Sequence, residues 1–320
     1  MATVLVVPGR VACGPMTSLT IPSLTMTSRP RRVGFGLALI VGLLAALAGP
    51  AVASNSSNTT APPNTPQIIG GHKVDVSQYP YQAALIDLTR QGNDWDRQIC
   101  GGRLIAPTWV LTAAHCVHEA GVTTTPDQLE ILLGRTNLFH QDGERHSVRA
   151  IYYSHRFSEV TDSDDVALVQ LDTPSAYPPI AIADAAQNIY ELPGTMLTVV
   201  GWGDVNAQPP LVDPTNLHYP RALRAVKVPV VADRTCKDAY GAVGDIIIAS
   251  TTVCAGAAGL DACYGDSGGP LLATTPSGPV EIGIVASGEG CGAPGFPGTY
   301  TEVNAKSVRN FIVRTMADHP

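Results

Sequence analysis

The sequence predicts an all-β fold, either a sandwich or a pair of barrels, closed by one terminal helix. Three observations carry this. From Ile68 onward, short apolar stretches alternate with clusters of Gly, Pro, Asn and Asp, the pattern of many short strands joined by turns. The stretch 172–186 holds Pro174, Pro178 and Pro179 and reads as a linker between two halves. Val308, Phe311, Ile312 and Thr315 recur at helical spacing. They predict a helix over about 304–317, with Asn304 placed to cap its start. The clearest strand segments are 81–88, 110–112, 130–133, 166–171, 197–201, 223–230 and 281–285.

The first 67 residues are set apart by composition. They contain no Asp or Glu, only Arg10, Arg29, Arg31 and Arg32 as charges, and one cysteine, Cys13. Arg29-Pro30-Arg31-Arg32 precedes an apolar run over 33–48 and an Ala-Val-Ala end at Ala53. A basic head, an apolar middle and a small-x-small end describe a secretory signal peptide over 1–53, cleaved after Ala53. The competing reading is a membrane anchor, but the run falls short of the ~20 residues that span a bilayer. The basic head lies far from Met1, so Met26 is the expected true start. Residues 54–67 are polar and Pro-rich and predict a flexible pro-segment, with sequons at Asn55 and Asn58. The fold then occupies 68–320.

The 320 residues carry a formal charge of −7, which argues against a nucleic-acid partner needing a broad basic face. From Ile68 on, 16 Lys and Arg stand against 27 Asp and Glu, a charge of −11. The seven cysteines become six there: Cys100, Cys116, Cys236, Cys254, Cys263 and Cys291. A secreted chain with an even count predicts three disulfides, and spacing alone leaves all fifteen pairings open. The wide spacings and the absence of a Cys-x-x-Cys pair argue against a metal centre.

Three motifs carry chemistry only when taken together. His115 lies in Leu111-Thr112-Ala113-Ala114-His115-Cys116, Asp165 opens Asp165-Val166-Ala167-Leu168, and Ser267 lies in Gly265-Asp266-Ser267-Gly268-Gly269-Pro270. Each alone has an ordinary reading as a surface histidine, a strand-capping acid or a Gly-rich turn. In the order His, Asp, Ser they are specific, and here the sequence resembles the trypsin-like (chymotrypsin-family) serine endopeptidases. The resemblance runs from Ile68 to the terminal helix. It includes Ile68-Ile69-Gly70-Gly71, Cys100-Gly101-Gly102, Trp109-Val110-Leu111, Gly201-Trp202-Gly203 and Gly298-Thr299-Tyr300.

The resemblance implies two six-stranded antiparallel β-barrels, over about 68–175 and 176–303, with the active site between them. It implies catalysis by Ser267 as nucleophile, His115 as general base and acid, and Asp165 holding the ring in its productive tautomer. The N–H groups of Gly265 and Ser267 form the oxyanion hole, each donor being worth about 3 kcal/mol of barrier in such sites. The resemblance also pairs Cys100 with Cys116, Cys236 with Cys254, and Cys263 with Cys291. Asp261, six residues before the nucleophile, lies at the base of the primary pocket, with Ala262 beside it and Gly288 and Gly298 as its walls. A buried carboxylate there selects Arg or Lys before the scissile bond. Ala262 lacks the hydroxyl that solvates an ammonium, so Arg is expected over Lys. The resemblance further implies that cleavage before Ile68 frees an amine that pairs with Asp266. No cofactor is implied. The expected protein is a secreted monomer acting on protein or peptide substrates, without stable membrane anchoring. The alternative is a trypsin-fold binding protein that has lost catalysis.

Three departures bear on these expectations. Where the family shows Ser-Trp-Gly, this chain has Ala286-Ser287-Gly288, which removes an apolar wall and predicts weaker preference for bulky apolar residues in the neighbouring subsites. Arg135 replaces an acidic ligand of the family's calcium loop, so no metal site is expected there. Gln67 precedes Ile68 where a basic residue is usual, and no Lys or Arg occurs between Arg32 and Lys73. A pocket built around Asp261 should not cut that bond, so a separate activating protease is expected.

Overall fold

A computed structural model describes residues 68–210 and 215–320. The signal peptide, the Met26 start and the 54–67 segment lie outside the described residues. The chain runs through β1 (His72–Lys73), β2 (Gln82–Asp87), α1 (Asp94–Arg97), β3 (Gln98–Ala106) and β4 (Trp109–Thr112). A short hairpin of β5 (His118–Glu119) and β6 (Val122–Thr123) follows, then β7 (Leu129–Leu133), β8 (Glu144–Tyr153) and β9 (Ala167–Leu171). Strands β2-β3-β4-β9-β8-β7 close into an antiparallel barrel. Closure pairs both edges of the sheet and leaves no free strand to aggregate. Leu85, Leu104, Leu111, Ile131 and Val169 are fully buried within the first core.

The second half contains β10 (Ala181–Ile182), β11 (Met196–Gly201), β12 (Arg224–Val231), α2 (Asp233–Gly241), β13 (Thr252–Ala255), β14 (Pro270–Thr275), β15 (Gly278–Ser287), β16 (Gly298–Glu302) and α3 (Lys306–Asp318). Strands β12-β11-β14-β15-β16-β13 form a second ring, closed where β12 pairs with β13 through Val230↔Ala255 and Val231↔Cys254. Both barrels are therefore six-stranded and antiparallel. The described residues belong to one compact unit.

Two local expectations need correcting. The stretch from Ile68 does not start the first barrel: His72 and Lys73 pair with Ala225 and Arg224 of β12, so the chain begins on the second barrel and enters the first at Gln82. Asn304 does not cap the terminal helix. Its amide donates to the side chain of Asn188 at 2.6 Å, and Ala305 occupies the cap position without a side-chain bond. The linker also carries structure, since β10 pairs in parallel with β15.

Candidate active site

The first barrel places its two site residues by strand pairing. β4 and β9 are antiparallel neighbours with Thr112 opposite Ala167. The residues just after β4 and just before β9 therefore leave the barrel at the same rim. His115 is three positions beyond Thr112, and Asp165 is two before Ala167. The Asp165 carboxylate is 1% exposed and receives two bonds, both from His115: the backbone N–H at 2.9 Å and the ring Nδ1 at 2.7 Å. This pair of bonds fixes ring position and tautomer, leaving Nε2 free of a proton. Burial opposes the charged ring, but the charge and hydrogen bond of Asp165, with Asp162 and Glu119 behind it, outweigh burial and hold the His115 pKa above its ordinary value.

The second barrel supplies the turn 263–269, leading into β14. Gly265 and Gly268 have φ of +91° and +73°, values that exclude ordinary side chains. A Cβ at Gly268 would land on the Thr112 hydroxyl and come within 3.1 Å of the Ala113 N–H. Glycine at this position thus lets the turn press against the end of β4, three residues before His115. The hydrogen-bond pattern of the turn is selective. The N–H groups of Asp266, Gly268 and Gly269 donate to the carbonyls of Cys263, Val285 and Asp266. Those of Gly265 and Ser267 donate to no acceptor among the described residues. Two neighbouring donors left open on one turn can receive an anionic oxygen. The Ser267 hydroxyl makes no hydrogen bond to His115, whose Nε2 lies 3.8 Å from the Cys116 sulfur. Such contacts commonly tighten only when substrate binds.

Beside Ser267 a cavity of about 160 Å³ descends to Asp261 between Gly288 and Gly298. Its walls follow from the β15–β16 pairing, which sets Ser287 opposite Thr299 after a bulge. A Cβ at Gly298 would lie 2.6 Å from the Asp261 carboxylate, so only glycine keeps the floor open. Asp261 is 2% exposed and accepts from the N–H groups of Ala262 and Gly292, each at 2.9 Å. Burial dominates these bonds and pushes its pKa up to about 7. Asp266 is in the same state. Fully buried, it accepts from Gly203 N–H at 2.7 Å and Cys263 N–H at 3.0 Å, and burial raises its pKa to about 7. Glycine at 203 is required there, since a Cβ would overlap the carboxylate. Ile68 is buried, and the carbonyl of its neighbour Ile69 accepts from Asp261 N–H at 3.2 Å.

Disulfides join Cys100 to Cys116, Cys236 to Cys254 and Cys263 to Cys291. The first ties β3 to the residue after His115. The third ties the turn before Ser267 to the segment behind the pocket wall. The close group Cys100, His115 and Cys116 is no metal centre, because both sulfurs are spent in a disulfide. The Arg135 guanidinium fills the loop that ends at Gly143, donating to the carbonyls of His140 and Asp142 and to the Asp94 carboxylate. Where a tryptophan would wall the entrance, Ser287 instead bonds the Thr299 hydroxyl at 2.9 Å. Three contributors were not singled out from the sequence. Gln98 donates its Nε2 to the Gly265 carbonyl at 2.9 Å, and Arg103 and Glu281 meet behind the turn. Their one advance signal was a polar or charged side chain inside an otherwise apolar strand.

The trypsin family model matches residues 68–312. A trypsin of Saccharopolyspora erythraea is 34% identical over 240 residues, covering 74% of this chain and 94% of that protein. A tryptase of Mus musculus is 34% identical over 245 residues, covering 74% and 84%. Kallikrein-14 of Homo sapiens is 34% identical over 261 residues, covering 79% and 85%. With its two closed barrels, its terminal helix and this match over nearly all of the described fold, the chain belongs to the trypsin family of serine endopeptidases.

Proposed function

We propose that the protein is a secreted endopeptidase that cuts after Arg, and less well after Lys, through an acyl-enzyme. The observation that carries the specificity is Asp261, a buried carboxylate closing the cavity that Ser267 also lines. It accepts only backbone bonds, so an incoming guanidinium meets it as its first cation partner and can bond it bidentately. Ala262 offers no hydroxyl to an ammonium, which sets Arg above Lys.

In the proposed mechanism Ser267 Oγ attacks the scissile carbonyl carbon while His115 Nε2 takes the hydroxyl proton. The carbonyl π electrons move to oxygen, and the resulting oxyanion accepts from the open N–H groups of Gly265 and Ser267. His115, now charged and stabilised by Asp165, returns the proton to the leaving amine as the C–N bond breaks. A water then repeats the sequence against the ester, and Ser267 is restored. The Asp165 contacts explain why Nε2, rather than Nδ1, is the base. Cleavage before Ile68 supplies an α-ammonium for Asp266, and Gln67 makes this a task for a different protease. Secretion rests on the 1–53 leader and on three disulfides, which persist in oxidising compartments.

The test is a panel of short substrates ending in Arg, Lys, Phe or Ala, run on protein whose N-terminus has been sequenced. The order Arg, then Lys, with Phe and Ala barely cleaved, is expected. Cleavage after Lys equal to or better than after Arg contradicts the pocket reading. A precursor carrying Ser267→Ala should not be processed to Ile68 by the active enzyme. Processing by that enzyme removes the case for a separate activator.

A further inference from the structure

One strand of the first barrel grips the turn of the second from behind. From β3, Gln98 Nε2 donates to the Gly265 carbonyl at 2.9 Å, the Gly101 N–H donates to the Ser267 carbonyl at 2.7 Å, and Arg103 donates to the Gly268 carbonyl at 2.5 Å. The turn thus has three carbonyls held on one side, and its two open N–H groups belong to Gly265 and Ser267. The third grip is unusual in chemistry. Arg103 is fully buried, and its other terminal nitrogen forms an ion pair with Glu281 of β15, also fully buried. Complete burial pushes the Arg103 pKa down, and the Glu281 carboxylate beside it favours the charged guanidinium.

A buried ion pair is a poor way to gain stability, because the cost of taking two charges out of water is seldom recovered relative to apolar side chains. What this pair does supply is direction. Glu281 occupies one arm of the fork, so the other arm points at one peptide carbonyl, that of the residue following Ser267. A lysine has no such fork and offers no fixed second donor. The pair also spans the two barrels, joining strands that contribute to opposite sides of the cleft.

We propose that Arg103, oriented by Glu281, is a positioning residue that fixes the end of the Ser267 turn and so holds the oxyanion donors in place for the tetrahedral intermediate. The proposal rests on the reading of Ser267 as nucleophile. Its effect belongs to kcat and to transition-state binding, because neither side chain reaches the substrate pocket.

Two variants of the mature enzyme test it: Arg103→Lys, and the double replacement Arg103→Leu with Glu281→Leu. Each is measured for melting temperature, labelling by a serine-directed phosphonate, kcat and KM on an Arg amide, and affinity for a peptide boronate. The double variant should melt at or above the wild-type temperature. Both variants should lose about tenfold in kcat, the equivalent of one well-placed hydrogen bond, with KM within about twofold and boronate affinity falling in parallel. Wild-type kcat in the folded double variant overturns the proposal and leaves the pair as packing. If the double variant does not fold, Arg103→Lys decides. Wild-type kcat there, or unfolding despite its intact charge, also overturns it. Wild-type enzyme that resists the phosphonate would instead refute the nucleophile assignment, a result distinguishable from failure of the clamp.

Discussion

The two halves of the cleft are built on different electrostatic plans. In the first barrel the buried acid has its partner already: Asp165 takes both of its bonds from His115, and the pair rests on adjacent strands. In the second barrel two buried acids, Asp261 and Asp266, accept only backbone N–H bonds and have no cationic partner among the described residues. Their pKa values are both pushed to about 7. The first half is finished by folding. Under the proposed function the second is completed by cations that arrive later, one on the substrate and one from a new terminus at Ile68. The difference is that the histidine–acid pair is already formed, while Asp261 and Asp266 stand as two buried acids without cations, which the proposed function uses for binding and activation.

Replacing Asp165 with Asn should break the first half most severely. The amide keeps the shape but favours the wrong ring tautomer, and kcat should fall by about 10⁴ with little change in melting temperature. Stopped-flow or steady-state rates on an Arg amide check this, and a loss under tenfold would contradict the role of the pair. Replacing Asp261 with Ala should separate the halves. The kcat/KM for Arg substrates should fall by about 10²–10³, as for loss of a buried charge partner, while phosphonate labelling, which needs no pocket cation, changes far less.

The pH response sharpens the contrast at a smaller scale. Below its raised pKa His115 is charged and cannot accept a proton, so the acid limb of kcat/KM lies above the ordinary histidine value. Asp261 becomes neutral below about pH 7, so KM for an Arg substrate should rise as pH falls through that range. The stability sign is opposite to that of a paired carboxylate. Each raised acid favours the fold below its unfolded value of 3.8, and that contribution is lost as pH rises through about 7. A small aryl amidinium should therefore raise the melting temperature more at pH 8 than at pH 5. Equal shifts at both values would contradict a cation-completed pocket.

Much of this architecture was legible in sequence, for identifiable reasons. The apolar segments around 81–88, 166–171 and 197–201 became β2, β9 and β11 because their burial is nearly continuous and their turn flanks are strong. β3, β8, β13, β14 and β16 lie outside the strand segments read from the sequence. β3 carries Cys-Gly-Gly-Arg across its middle, and β8 interleaves Glu, Arg and His with its apolar residues. The start of α3 also misled, since Asn304, the residue before its cap, has a partner 116 positions away that no local rule reveals. In the cleft, His115, Asp165 and Ser267 stood out as motifs. Arg103 did not, because a charged residue in a strand reads as facing solvent, and its contact with Gly268 spans 165 positions. Local chemistry repeats along a chain and can be read there, whereas contacts between barrels exist only after folding.

The most direct test of the two-plan account is the rate of phosphonate labelling at pH 8. It compares the uncut chain, in which Ile68 has no free amine, with the same chain whose N-terminus is Ile68. The account predicts labelling at least about a hundredfold faster once the amine is free, since a lone buried charge at Asp266 costs roughly 3 kcal/mol or more. Equal rates in the two forms would show that the second half, like the first, is complete on folding, and would contradict it.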